Sequence, residues 1–333
     1  MKKDSDILTD SFGRKHQYLR ISLTDRCNLR CTYCMPEESI QLAPRSSIMS
    51  YGEIYSIARL FVKHGVTKIR LTGGEPLVRK DAGIILEKLT LLPAELTITT
   101  NGILADKHID TFRTCRIKKI NVSLDSLCPE KFLQITRRHS FNKVYGNILS
   151  LIKEGFNVKI NVVLVRGFND NEIIDFVKLT KELPVCVRFI EFMPFDGNRW
   201  NLDKIVSFEQ ILKQVNARYP EVIRLADAAN DTSENYQIKG HRGSFAVISS
   251  VTRPFCGGCN RIRLTANGHL KNCLFSSTET DLLTPFREGK DIEPIIRNTV
   301  LAKKKIRGGM EEIKQLKDPA LHSKNRSMTS IGG

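Results

Sequence analysis

The chain has 333 residues, 41% apolar and 26% charged, an ordinary globular balance that excludes wholesale disorder. Lys and Arg number 52 against 36 Asp and Glu, and the resulting +16 asks for a polyanionic partner: nucleic acid, an acidic membrane surface or a phosphorylated small molecule. No apolar run approaches the roughly 18 residues of a membrane span, and Met1–Asp10 carries no apolar signal core or arginine-rich presequence, so a cytoplasmic protein away from membranes is expected.

In chain order, residues 1–16 read as an N-terminal arm. Residues 17–200 alternate β-rich runs with amphipathic ones. Strands are predicted at Tyr18–Thr24, Lys68–Thr72, Leu96–Thr100, Ile120–Asp125, Val158–Val163 and Val185–Met193. Helices are predicted at Ser50–His64, Ala82–Leu92, Val144–Glu154 and Glu172–Glu182. Six βα units imply a parallel sheet, curved or closed, two units short of a full eight-stranded barrel. In four strands the residues alternate: Leu19, Ile21 and Leu23 with Arg20, Ser22 and Thr24; Ile69 and Leu71 with Arg70 and Thr72; Ile120, Val122 and Leu124 with Asn121, Ser123 and Asp125; Val158, Ile160 and Val162 with Lys159 and Asn161. A parallel sheet covered on both faces should be continuously apolar, so the polar face must look onto a ligand-filled space. Residues 201–317 read as an extension: a helix at Ser207–Ala217, a polar loop at Ala226–Asn235, hairpins in Tyr236–Ser249 and Ile262–Leu274, then helices at Asp281–Glu288 and Asp291–Lys304. Residues 318–333 read as a tail, and Lys303, Lys304 and Lys305 as solvated charge.

Nine cysteines, an odd number without a signal peptide, argue against a disulfide framework. Cys115, Cys128 and Cys186 read as scattered buried thiols. Cys27, Cys31 and Cys34 crowd the loop after the first strand and can surround one metal site. Three thiolates fall short of the usual four for structural zinc or an iron–sulfur cube, but a [4Fe–4S] cluster so held keeps one iron open. A zinc knuckle borrowing a His is the alternative. Cys256, Cys259 and Cys273 form a second trio, with Arg261 and Arg263 directly after the pair; there His269 is the alternative zinc ligand. Gly73-Gly74 after the second strand is by itself as much a turn as a ligand site.

The CxxxCxxC spacing with Tyr33 before the third cysteine, together with Gly73-Gly74-Glu75-Pro76, resembles the radical S-adenosylmethionine (SAM) enzymes. The likeness implies an α/β fold, an incomplete (β/α)6 TIM-type barrel, with the second cysteine group on a C-terminal extension. Cys256-Gly-Gly-Cys-Asn-Arg-Ile-Arg263, Leu23-Thr-Asp-Arg-Cys-Asn28, Tyr33-Cys-Met-Pro36, Thr99-Thr-Asn-Gly102, Phe189-Ile-Glu-Phe-Met-Pro194 and the terminal Gly332-Gly333 narrow it to the GTP 3′,8-cyclases of molybdenum cofactor biosynthesis. That resemblance implies two [4Fe–4S] clusters, on Cys27, Cys31 and Cys34 and on Cys256, Cys259 and Cys273. It implies SAM contacts from Tyr33, Gly74, Ser123 and Met193. GTP contacts are implied for Arg20, Arg70, Thr99, Lys159, Arg261, Ile262 and Arg263, with Gly332 and Gly333 entering the site. A deoxyadenosyl radical would take the ribose 3′ hydrogen, and C3′ would then bond to guanine C8. A reductant, a downstream cyclic pyranopterin monophosphate synthase and a homodimer among the allowed states complete the implied setting.

The residues support a nucleotide on their own terms. A triphosphate needs fixed cations, and Arg offers paired donors to phosphate oxygens. Arg20, Arg70 and Lys159 lie on the polar faces of three different strands. No GxxxxGK[ST] loop is present, so side chains must hold the phosphates. With 16 Phe, 7 Tyr and 1 Trp, a stacking platform for nucleic acid is poorly supplied. The competing readings are a two-cluster enzyme of the same kind acting on a peptide, and a basic zinc protein that binds nucleic acid.

Overall fold

Period-two alternation produces a parallel sheet, and the sheet is wider than six strands. The computed structural model describes residues 6–35, 42–318, 321 and 325–332. Strands β1 (Tyr18–Ser22), β2 (Lys68–Thr72), β3 (Glu95–Thr100), β4 (Lys119–Ser123), β5 (Asn157–Leu164) and β6 (Cys186–Glu191) lie side by side, all parallel. The crossovers carry α1 (Tyr51–Lys63), α2 (Ala82–Thr90), α3 (Ile109–Thr114), α4 (Pro129–Thr136), α5 (Phe141–Lys153) and α6 (Ile173–Glu182). Helix α1 starts with a reciprocal Ser50–Glu53 capping box and buries Ile54, Ile57, Ala58 and Phe61, one helical face. Helices α3 and α4 escaped sequence reading because six and eight residues are too few to establish a period.

After α7 (Phe208–Arg218) come β7 (Val222–Arg224), β8 (Glu234–Ile238), β9 (Ser244–Ile248), β10 (Arg261–Leu264), β11 (His269–Lys271) and β12 (Thr280–Asp281), then α8 (Leu283–Arg287), α9 (Glu293–Leu301) and α10 (Met328–Ile331). The two expected hairpins, β8–β9 and β10–β11, are present. Their inner strands then join the sheet in parallel, β9 beside β6 and β10 beside β1. Eight parallel strands result, in the order β10-β1-β2-β3-β4-β5-β6-β9. The sheet stays open because the outer side of β9 and of β10 is already paired with its own hairpin partner. Six strands is the right count for the first 200 residues. The extension supplies both flanks.

Apolar strand residues such as Leu19, Ile21, Ile69, Leu71, Ile120, Val122, Val158 and Ile160 are wholly buried in the main core. The opposite face carries the polar set. The N-terminal arm is part of the fold: Leu8 is buried, Thr9 bridges Lys15, and the Asp10 carboxylate holds Arg14 at 2.6 Å and His16 at 3.1 Å. No helix among the described residues is long and apolar enough to cross a membrane.

Candidate active site

The first cysteine loop leaves the end of β1. Cys27, Cys31 and Cys34 are all half-buried, and the backbone N–H groups of Cys34 and Met35 both donate to the Cys31 carbonyl (3.0 and 2.7 Å), which curls the loop. Leu29 N–H (3.4 Å) and Asn101 Nδ2 (3.7 Å) donate to Cys27 Sγ. Burial pushes the thiols up, Cys27 to about 11 and Cys34 to about 12; for Cys31 the Asp125 carboxylate and the other two sulfurs add to it. Thiols whose ionisation is opposed in this way become thiolates when a metal supplies the counter-charge. Among the described residues no group of His, Cys, Asp or Glu converges as ligands of a single ion would. A cube does not ask for that, since each thiolate takes its own iron and the ligands surround a volume. The trio fits such a cluster.

The double glycine seats this loop. Gly74 N–H donates to the Thr24 carbonyl (2.7 Å) and Glu75 N–H to the Arg26 carbonyl (2.8 Å). A Cβ on Gly74 would overlap the Arg26 carbonyl oxygen, and one on Gly73 would stand 2.7 Å from that of Thr24. Gly74→Ala is therefore expected to lower the unfolding free energy by roughly 1–3 kcal/mol, read by anaerobic thermal denaturation, with iron lost from the first site. Glu75 is buried and accepts from Thr100 Oγ1 (2.8 Å), Asn101 N–H (2.6 Å) and Leu77 N–H (3.1 Å); burial pushes it up to about 7. It joins the end of β2 to that of β3, where Asn101 goes on to bond Asn28 (2.7 Å).

Tyr33 donates its hydroxyl to Asp125 Oδ2 at 2.6 Å, and Asp125 also accepts from Val163 N–H at 2.8 Å. Burial raises both groups, Asp125 to about 6 and Tyr33 well above its ordinary value. Beside Tyr33 opens a pocket of about 400 Å³ lined by Ile135, Val163, Phe168, Phe192 and Arg199 among others. Met193 follows Phe192 directly, its carbonyl held by Asn198 Nδ2 at 2.8 Å. Ser123 ends β4, Gly74 lies just past the end of β2, and neither lines this pocket.

Register gathers the predicted cations. Arg263, Arg20 and Arg70 stand in one row across β10, β1 and β2, and Thr99, Asn121 and Lys159 in another across β3, β4 and β5. Arg70 donates to the Tyr18 hydroxyl and, at 3.3 Å, to Thr99 Oγ1. Arg188, which sequence reading passed over, joins them from β6 and grips Asn161 Oδ1 with Nε (2.9 Å) and Nη2 (2.5 Å). Its alternation with buried Val187 and Phe189 was the available signal. Burial and then neighbouring guanidinium groups lower Arg20 well below its ordinary value; Arg188 and Arg263 fall to about 10. Burial alone would raise Tyr18, yet Arg70 and Arg20 bring its hydroxyl down to about 8. Among the described residues, the hydrogen bonds of Arg70, Arg188 and Arg263 go to neutral oxygens, while Arg20 Nε and Asn121 Oδ1 are buried with no partner. Asp231 acts on Lys159 and Arg188, and the remaining excess of positive charge favours an anion in this space. Arg261 stacks on Phe255 at 5.0 Å. Ile262 points the other way into the core, so only its backbone faces the site. Cys186, read as a core thiol, sits in the polar row beside Lys159.

In the second trio, Cys259 N–H donates to the Cys256 carbonyl (3.1 Å), and Arg307 N–H reaches Cys256 Sγ (3.5 Å). Burial raises Cys256, with Cys273 and Cys259 adding; for Cys259 burial is outweighed by Arg261 and Lys303, which bring it to about 6. His269 turns Nδ1 to the Asn267 carbonyl at 3.2 Å. Lys303 is not solvated: the chain turns after α9 and buries it, while Lys304 and Lys305 stay exposed.

The described residues of the C-terminal segment are not a frayed tail. Asn325, Thr329 and Ile331 are buried, Asn325 Nδ2 donates to the Leu274 carbonyl (3.0 Å), and the Thr329 backbone bonds the Cys34 thiol. Gly332 (φ 77°) ends α10, and its carbonyl accepts from Arg263 Nη1. A Cβ there would lie 2.5 Å from Thr72 Oγ1 and 3.1 Å from Ser22 Cβ. Gly333 lies outside the described residues.

Residues 21–180 match the Radical SAM superfamily and residues 185–308 the Molybdenum Cofactor Synthesis C family. The chain is 48% identical to the Arabidopsis thaliana GTP 3',8-cyclase, mitochondrial, covering 99% of this chain and 84% of that protein. It is 43% identical to the GTP 3',8-cyclase of Peptoclostridium acidaminophilum, covering 89% and 92%. Human molybdenum cofactor biosynthesis protein 1 is 46% identical over 94% of this chain, which spans about half (50%) of that protein's length. Among solved structures, Streptococcus suis SuiB bound to S-adenosylmethionine superposes with a TM-score of 0.62 at 16% identity, covering 86% of this chain and 67% of that one, a likeness of fold.

Proposed function

Because the chain belongs to the radical SAM superfamily and, within it, to the GTP 3′,8-cyclase family, we propose that it converts GTP to (8S)-3′,8-cyclo-7,8-dihydroguanosine 5′-triphosphate, the first step of molybdenum cofactor biosynthesis. The observation that carries this reading is the cage of Arg20, Arg70, Lys159, Arg188 and Arg263, buried or half-buried beside two cysteine trios. Family membership brings a [4Fe–4S] cluster and SAM; we assign that cluster to Cys27, Cys31 and Cys34 and a second to Cys256, Cys259 and Cys273. When bound, the first cluster and SAM supply a 5′-deoxyadenosyl radical able to take the ribose 3′ hydrogen.

The residues of the chain do the rest. Tyr33, Gly74, Ser123 and Met193 hold SAM, and the pocket beside Tyr33, where Ile135, Val163, Phe168 and Phe192 face Gln134, Asn198, Arg199 and Lys204, offers a nucleoside both apolar wall and hydrogen-bond partners. The guanidinium groups and Lys159 take the triphosphate, with Thr99 and Asn121 between them. Helices outside the sheet and the tail across β1 and β2 keep water from a site where a radical must survive. The same proposal includes a cytoplasmic enzyme, an electron donor and a downstream cyclic pyranopterin monophosphate synthase, and it admits a homodimer, each a separate experiment.

Anaerobic incubation with GTP, SAM and dithionite should yield 5′-deoxyadenosine and the cyclic nucleotide by mass analysis. A product derived from a peptide instead, or none in protein carrying both clusters, would overturn the reading. Arg263→Ala and Arg261→Ala should weaken GTP binding by roughly 1.5–3 kcal/mol, about 10- to 150-fold, with SAM binding spared. Anaerobic calorimetry reads both, and unchanged GTP affinity in the two variants removes the phosphate assignment.

A further inference from the structure

Of the three consecutive lysines just past the end of α9, one is turned inward. Lys303 is 3% exposed, whereas Lys304 and Lys305 lie in solvent. Its ammonium donates to Cys259 Sγ at 3.3 Å and to the Arg261 carbonyl at 2.9 Å. A buried ammonium is tolerated only beside an anion or enough acceptors. One of its two partners is a neutral carbonyl, so the counter-charge available to it is the sulfur of Cys259.

The N-terminal arm fixes this placement. Arg14, gripped by Asp10 at 2.6 Å, donates to the carbonyls of Cys256 (2.8 Å), Lys304 (2.9 Å) and Lys305 (2.9 Å). One guanidinium thus ties the loop bearing Cys256 to the turn that carries Lys303. The arm, the end of α9 and the cysteine loop form one unit, although their residues come from opposite ends of the chain.

We infer that Lys303 is a positioning residue of the second cysteine site, holding Cys259 and supplying a fixed positive charge to the group those cysteines bind. This rests on the proposal that Cys256, Cys259 and Cys273 carry a cluster. A positive charge and a hydrogen bond at a ligand sulfur stabilise the more negative, reduced state, so they raise the reduction potential. The same hydrogen bond orients the cysteine, and the link to the Arg261 carbonyl couples it to the strand that faces the nucleotide.

The test uses the full chain, reconstituted anaerobically as wild type, Lys303→Met, Lys303→Gln and Lys303→Arg. Iron per chain and a redox titration followed by electron paramagnetic resonance are measured without GTP. The expected result is a second-cluster potential shifted to more negative values in the Met and Gln variants and restored in Lys303→Arg, with the first cluster unmoved. An unchanged potential in Lys303→Met with full iron overturns the inference. Should Lys303→Met lose the second cluster, retention in Lys303→Arg and loss in Lys303→Gln supports the charge, while equal loss in all three overturns it. Wild type that binds iron for one cluster only overturns the two-cluster proposal itself, a failure distinct from the others.

Discussion

Replacing Cys256, Cys259 and Cys273 together by Ser leaves reductive SAM cleavage in place and removes the cyclised GTP product, by ~100-fold or more. The two trios are anchored to different parts of the molecule. Cys27, Cys31 and Cys34 are held by the Thr24–Arg26 backbone, by Gly74 and by Asn101 at the end of β3. The second trio is held by Lys303, the Arg307 backbone and the arm through Arg14. Ser can replace Cys in volume but is a poor iron ligand, so the substitution empties one site without dismantling the other. What fails is the placing of the nucleotide, on which attack at one ribose hydrogen depends. Mass analysis of 5′-deoxyadenosine and of the cyclic product reads the two activities separately. Loss of both in a folded variant that still carries the first cluster would count against separate roles.

Deleting Gly332 and Gly333 gives the second large effect. Both clusters and the unfolding midpoint are expected to stay, SAM cleavage to remain largely intact, and cyclic product to fall by ~100-fold. Gly332 packs where β1 and β2 end, between Thr72 and Ser22, and its carbonyl engages Arg263, one of the cage cations. Removing it frees that guanidinium and opens the site to water. Gly332→Val probes the same contact by collision, because its Cβ would lie 2.5 Å from Thr72 Oγ1 and the backbone there has φ 77°. Product formed at the normal rate by the truncated chain would return these residues to a passive role.

Most of the frame was legible because it rests on short-range rules. Alternation in Lys68–Thr72 and Ile120–Asp125 marks a strand with two different faces, and Ser50-x-x-Glu53 marks the start of α1. Local rules are blind to strand partners, so β9 and β10 looked like the hairpins they are and not like flanks of the parallel sheet. The predicted cations Arg20, Arg70 and Lys159 share one face because their strands share a register, which alternation alone can suggest. Arg188 follows the same rule and was simply passed over. Lys303 had no signal: in a run of three lysines, the turn after α9 decides which one faces inward. Asp125 stood on a polar strand face and Glu75 in the double-glycine motif, but their partners Tyr33, Thr100 and Asn101 lie elsewhere in the sequence, beyond the reach of local rules. The tail's composition spoke for fraying, and its burial comes from contacts with Leu274, Cys34 and Arg263, far away in sequence.

The pairing of β10 with β1 and of β9 with β6 has a consequence for how the protein is made. Tyr18 finds its parallel neighbour in Arg261, synthesised more than 200 residues later, and β6 pairs with β9, itself half of a hairpin. A nascent chain that has emerged only as far as β6 therefore presents a six-stranded sheet with unpaired backbone at both sides, a template for pairing with another copy. Contacts so distant in sequence also form slowly. The interval between the emergence of β6 and of β11 is the aggregation-prone stage of biosynthesis, when a holding chaperone is most needed. Completion replaces those two long sides with β7 and β12, of three and two residues, too short to recruit another strand.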